Sequence, residues 1–298
     1  MTQRTSSATA KRYTVAQVCR VWRVPRSSYY ASSPSLGSDC PPARRRGPQG
    51  PCPDVALVEH VRGVLVASPF VDEGYRKVWA RLRAKSIRTS KDRVRRIMRA
   101  HGLSAPHVPV RRRGNKAHDG TIITKRPDEM WGTDATSVLT GEGTATVFFA
   151  VDHCTSECVG IHAARHGTRI EALEPIRQGV RACFGRYDQD AAVGLALRHD
   201  HGSQFMSHQF QHELAFLGVR SSASFVAEPE CNGVAERFVR TLKHQLLWLN
   251  TFDTIEALRR ALHTFKDLYN QAWLVQKHGH LTPAKVRASF TNPAQAAA

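Results

Sequence analysis

MWGTDATSVLTGEGTATVFFAVDHCTSECVGIHA, residues Met130 to Ala163, decides the fold of this chain. MWGTDATSVLT alternates in side-chain character, TATVFFAV is β-branched and aromatic, and ECVGIHA repeats the pattern after a short turn. Alternation with period two sets one face of a strand against a core, so three consecutive antiparallel strands are expected. Downstream the period changes. IEALEPIRQGVRACFG reads as helix, VGLALRHD as a short buried strand, SHQFQHELAFLG as helix, and Asn232 to about Leu249 as one long helix. Three strands followed by alternating helix and strand predict an α/β fold, a mixed sheet flanked by helices. That order matches the ribonuclease-H-like fold.

Upstream the chain is different in kind. Residues 1–126 carry 27 basic and 7 acidic side chains, a net of +20, whereas 16 basic and 18 acidic from residue 127 onward leave −2. An excess concentrated in the first two-fifths points to a polyanionic partner bound by an N-terminal region. Residues 1–30 form a short helical segment, in which Val15, Val18, Val21 and Trp22 recur at helical spacing, and residues 31–53 a linker with six prolines and an Arg triplet. Residues 54–104 hold three helical segments, a small all-α unit of helix-turn-helix type. The third, SKDRVRRIMRAHG, has Ser90 as N-cap, Gly102 as stop, and Val94, Ile97 and Met98 as its apolar face. Lys91, Arg95 and Arg99 fall on the other face at i, i+4 and i+8, suited to phosphate or groove contact. A merely solvated basic face is the competing reading. Residues 105–127 form a second linker with Arg111, Arg112 and Arg113, residues 128–272 the ribonuclease-H-like core, and residues 273–298 a tail.

Seven scattered cysteines do not make a disulfide framework, and MTQRTSSATAKRY has no apolar signal core, so a reducing compartment is expected. VFFAV is far short of a membrane span.

Within the core three carboxylates stand out. Asp134 lies in the first strand and Asp200, in RHDHGSQF, at the end of the fourth; they become neighbours if those strands pair in parallel. Glu236 sits on the long helix, with Val234, Phe238, Leu242, Leu246 and Leu249 as the buried stripe and Arg240 and Lys243 on its own side. Carboxylates from separate elements suit Mg²⁺ (or Mn²⁺), and two such ions about 3.5–4 Å apart support in-line phosphoryl displacement. Other groups compete. Asp152 reads as a loop cap, Glu228 and Glu230 as a lead-in to the helix, His199 and His201 as phosphate-steering or bland loop residues, and His153, Cys154, Cys158 and His162 have zinc-like types.

WGTDATS, RHDHGSQF and NGVAERFVRTLK resemble the three catalytic blocks of bacterial insertion-sequence transposases similar to retroviral integrases. The 35 residues between Asp200 and Glu236 match that family's spacing, and EGYRKVWARLR with SKDRVRRIMRAHGL is similar to its helix-turn-helix segment. Cys231 departs from it, standing where glycine or an acid is more usual. The resemblance implies an Asp134–Asp200–Glu236 triad, cleavage of transposon ends followed by strand transfer into target DNA, a homo-oligomer on double-stranded DNA, and a separate or fused upstream DNA-binding protein. A bacterial cytoplasmic, nucleoid-associated enzyme follows. The alternative is a catalytically inactive DNA-binding relative that represses transposition. A ribonuclease H would not need the basic arm, and a tyrosine recombinase would need a nucleophile in a cluster of arginines that none of the six tyrosines has.

Overall fold

The computed structural model describes residues 10–32, 52–106, 123–223 and 232–291. The chain divides into two compact units, residues 1–49 and 50–298. In the first, α1 (Val15–Val21) opens on a capping box in which Thr14 and Gln17 satisfy each other's backbone N–H, and α2 (Arg26–Ser32) follows.

The second unit begins with three helices: α3 (Asp54–Ala67), α4 (Tyr75–Ala84) and α5 (Lys91–Ala100). They close on a small core of Leu57, Val61, Val78, Leu82, Val94, Ile97 and Met98. The Ser90 hydroxyl caps α5 by accepting from Arg93 N–H, and Gly102 takes the left-handed conformation at its end, both as the sequence predicts.

A five-stranded sheet follows, in the spatial order β3-β2-β1-β4-β5. β1 (Met130–Thr140), β2 (Gly143–Asp152) and β3 (Cys158–Ala164) are antiparallel neighbours. The chain then crosses over through α6 (Arg169–Phe184), capped by Thr168 and stopped by Gly185 at φ +71°, so that β4 (Ala196–His199) pairs with β1 in parallel. After α7 (Ser203–Met206) and α8 (His208–Phe216), β5 (Arg220–Ala223) adds a parallel edge. The expected mixed sheet flanked by helices is present. The sequence reading did not include β5, whose RSSA has no apolar alternation.

Period two on β2 divides the core. Val147, Phe149 and Val151 face α9 (Gly233–Leu242) and α10 (Ile255–Ala272), while Phe148 and Ala150 face α6 and α8. Gly160 on β3 lets α6 sit down on the sheet, because a Cβ there would overlap the Pro175 carbonyl oxygen.

Two expectations need correction. The long helix from Asn232 to Leu249 is broken: α9 gives way to a π-helical turn over Lys243–Leu247, and helix ends at Trp248. A π turn takes an extra residue per turn and rotates the residues beyond it about the helix axis. At the end of that turn Leu247 is buried, whereas Leu249, assigned to the buried stripe, is exposed. The stretch 273–298 is not simply a tail. α11 (Pro283–Thr291) packs on α10, and its Arg287 forms ion pairs with Asp128 and Glu157 at the entry to the core.

The three-helix region is fastened to the core. Phe70, between α3 and α4, is buried in the core cluster under α9 and α10 and meets Trp273 edge-to-face at 4.9 Å. Glu73, 3% exposed, holds Arg81 in a bidentate ion pair at 2.6 and 2.8 Å, and Arg81 also donates to the Ala272 carbonyl. Lys77 Nζ lies 2.7 Å above the Trp273 ring centroid, and the Gln245 amide exchanges two hydrogen bonds with the Val71 backbone.

Candidate active site

β1 brings Asp134 to the middle of the sheet, opposite Phe149 of β2, with its side chain half-buried. The parallel register of β1 and β4 pairs Trp131 with Leu197 and Gly132 with Arg198. Continued two residues, that register sets Asp134 beside Asp200, just past the end of β4. Short β4 is buried on both faces, so the first residue free to expose a carboxylate is Asp200 itself. Its Oδ1 accepts from Gly202 N–H at 2.8 Å, which turns the chain into α7.

Glu236 comes from the first turn of α9, on the exposed side opposite Ala235 and Phe238. Phe238 packs on Phe149 with tilted rings at 4.9 Å, and Asn232 Nδ2 donates to the Thr133 carbonyl at 2.9 Å, so the start of α9 is attached to the residue next to Asp134. Electrostatics records the convergence. Burial raises the Asp134 carboxyl above the usual carboxylate range, the charges of Asp200 and Glu236 push the same way, and Ala135 N–H and Lys243 oppose them. Among the described residues, no Lys or Arg forms an ion pair with any of the three. Nor, among these residues, does any group of three His, Cys, Asp or Glu close tightly enough to hold an ion as it stands. The three acids are neighbours in charge across an open site.

The competing residues have other work. Asp152 is buried and caps the β2–β3 turn, accepting from Thr155 N–H and Oγ1 and from Asp128 N–H. His199 bridges Asp200 O and Ser221 Oγ, joining β4 to β5. His162 bonds Glu171 at 2.6 Å, and the buried Cys158 thiol donates to Gly160 O. Glu228 and Glu230 lie outside the described residues.

The candidate DNA-contact cations separate into groups. On α5, Arg93 and Arg96 are tied to Asp54 at 2.7 Å each, while Lys91, Arg95 and Arg99 point outward. Lys91 and Arg95 rest over the Trp79 and Tyr75 rings at 4.4 and 5.8 Å. Arg240 is exposed beyond Glu236, and Lys243 acts on Asp134. Arg111, Arg112 and Arg113 lie outside the described residues. Sequence reasoning did not single out Asn232; the Asn-Gly pair ahead of α9 was its only signal.

Comparison with known proteins gives the same division. An HTH-like domain model matches residues 56–113, and models described as Integrase core domain match residues 124–229 and 217–283. Transposase InsD for insertion element IS2A/D/F/H/I/K of Escherichia coli is 29% identical over 202 residues, 65% of this chain and 65% of that protein. The InsD protein for IS2-9 of strain K12 is equally similar, with 64% of its length covered, so the match spans just under two thirds of these relatives. Among solved structures, the catalytic core domain of BIV integrase has a TM-score of 0.41 at 19% identity, covering 56% of this chain and 97% of that one. The HTLV-2 integrase catalytic core domain in complex with magnesium, trimeric form, has a TM-score of 0.41 at 17% identity, covering 54% and 97%. This chain carries an HTH-like domain followed by an integrase core domain and is homologous to the InsD insertion-element transposases.

Proposed function

We propose that this chain is a DNA transposase, a polynucleotidyl transferase that cleaves insertion-sequence ends and joins the freed 3′-hydroxyl to target DNA. The observation that carries this reading is the influence of the Asp200 and Glu236 charges on half-buried Asp134, three carboxylates from β1, the end of β4 and α9 that form no ion pair among the described residues. Like charges gathered this way favour a cation among them, and an all-carboxylate oxygen set suits Mg²⁺ or Mn²⁺. Asp134, Asp200 and Glu236 would hold the ions, two in number, which when bound supply charge neutralisation at the reacting phosphate. The chain's own part is orientation: the sheet fixes Asp134 and Asp200 relative to each other, and packing of Phe238 on Phe149 fixes the helix that carries Glu236. Lys243 and exposed Arg240 continue from Glu236 as phosphate contacts.

The outward face of α5, with Lys91, Arg95 and Arg99, supplies affinity for double-stranded transposon ends, joined by the Arg111–Arg113 triplet. The active form is a homo-oligomer assembled on DNA inside the bacterial cell, and no helix among the described residues is long and apolar enough to cross a membrane. A repressor without catalysis would have no use for carboxylates at 134, 200 and 236 that form no ion pair among the described residues, so the catalytic reading stands ahead of it.

The test is an end-cleavage and strand-transfer assay on a labelled duplex ending in the element's own terminal repeat. Nicking and joining are expected with Mg²⁺ or Mn²⁺ and absent with chelator. Equal cleavage with all divalent metal removed would sink the metal-carboxylate reading.

A further inference from the structure

Asn232 occupies the N-cap position of α9, where an asparagine ordinarily turns its side chain inward to cap its own helix. Here it does not. α9 has no side-chain cap; Nδ2 of Asn232 instead donates to the carbonyl of Thr133 on β1. The other end of the amide presses on the same strand. A Cβ at Gly132 would overlap Asn232 Oδ1 and lie 2.8 Å from His153 Nε2, so both side chains fill the space that this glycine leaves open. Both polar atoms are shut off from solvent, and neither meets a hydrogen-bond partner in good geometry. His153 is itself anchored to the strand, its N–H donating to Met130 O, and its carbonyl accepts from Lys277 Nζ.

We infer that Asn232 and His153, seated over Gly132, are positioning residues that fix the start of α9 on β1 and so set Glu236 against Asp134. The reach is short: Thr133 precedes Asp134, and Glu236 is one helical turn beyond Asn232. Burial, reinforced by the charges of Lys277 and Arg198, holds His153 down to about 4, while the Asn232 amide acts on it as a hydrogen-bonding neighbour. The imidazole is therefore neutral in use, with one N–H to offer the Asn232 carbonyl oxygen. An amide that gives up its cap to grip a strand, a buried neutral histidine that supports it, and a glycine that admits both make one device. It rests on the proposed role of Glu236 as a metal-holding carboxylate.

Asn232→Ser separates positioning from stability, because serine caps a helix as well as asparagine but cannot reach Thr133. Mn²⁺ binding to the full-length chain without DNA, read by the signal of free Mn²⁺, should weaken roughly 10-fold in Asn232→Ser, the scale seen when a group that orients a metal ligand is lost. Thermal unfolding should be unchanged or higher, while hydrogen exchange in the first turns of α9 should quicken. His153→Ala should show the same loss. His153→Gln, which keeps a side-chain N–H donor, should recover binding to within about 3-fold of wild type. Glu236→Gln is the reference. If it leaves both Mn²⁺ binding and cleavage intact, the carboxylate site itself is misread. If Glu236→Gln abolishes them while Asn232→Ser and His153→Ala bind and cleave as wild type, the positioning inference alone is overturned.

Discussion

The three-helix region and the sheet core use charge in opposite ways. In α4 Arg81 is tied to the buried Glu73, and on α5 Arg93 and Arg96 are tied to Asp54, which leaves Lys91, Arg95 and Arg99 as the outward cations of α5. In the core, Arg287 neutralises Asp128 and Glu157, and Arg177 neutralises Glu213, but among the described residues Asp134, Asp200 and Glu236 form no ion pair. In both regions these ion pairs help to build the fold. On the proposed function, the outward cations of α5 await phosphate and the three core carboxylates await metal.

The comparison breaks most sharply in catalysis. Asp134→Asn, Asp200→Asn and Glu236→Gln should each lower cleavage and strand transfer by at least about 10³-fold, because each removes an anion from a shared metal site while nearly keeping shape. DNA affinity, measured by gel shift, should stay within a few-fold of wild type. Should these variants lose binding and catalysis together, the two kinds of unpaired charge are not separable.

Next in size is the reverse experiment. Arg95→Ala with Arg99→Ala should weaken duplex binding about 10-fold at moderate salt and lower the slope of log K against log salt by about 2, one for each phosphate no longer neutralised. Cleavage at saturating DNA should persist. Arg93→Ala, by contrast, removes a cation already bound to Asp54 and should leave the salt slope unchanged.

Smaller still is the cost of breaking a structural pair. Glu73→Gln leaves Arg81 without its buried partner and should destabilise the chain by about 2 kcal/mol, reduced from a fully buried case because Arg81 retains some access to water. Chemical denaturation reads this directly.

Lys77 carries the comparison into pH dependence. Burial holds Lys77 down to about 7 from an ordinary 10.5, against the raising influence of Glu73. Above pH 7 the unfolded chain keeps a proton on this lysine that the folded chain has released, so this group makes stability rise with pH from about 7 to about 10.5. Cation–π contact with Trp273 favours the charged form and narrows that window. Lys77→Met should flatten the rise in unfolding midpoint; an identical pH profile would mean that Lys77 stays solvated.

Much of this was legible in the residues themselves. β1, β2 and β3 announce their period, and Ser90 and Gly102 mark the bounds of α5, because strand pleat and helix cap are local physics. Asp134 and Asp200 follow once β1 and β4 pair in parallel. What was not legible depends on partners distant in sequence. RSSA becomes β5 only because β4 offers it an edge, and the π turn after α9 has no sequence signature. That Arg93 and Arg96 are spent while Lys91, Arg95 and Arg99 are free is decided by Asp54, some forty residues away. The meeting of His153 and Asn232 over Gly132 joins three separate elements.

The attachment of Phe70, Glu73, Lys77 and Arg81 to the far end of α10 has a geometric consequence for DNA. If α5 reads a terminal repeat and Asp134 acts on the strand end, the clamp makes the molecule a ruler whose length the protein cannot adjust. Each base pair added between the recognised sequence and the cleaved bond moves the scissile phosphate about 3.4 Å along the duplex and rotates it by about 34–36°. On that reading a change in repeat spacing would be poorly tolerated, and slack would come from bending DNA or from a second protomer.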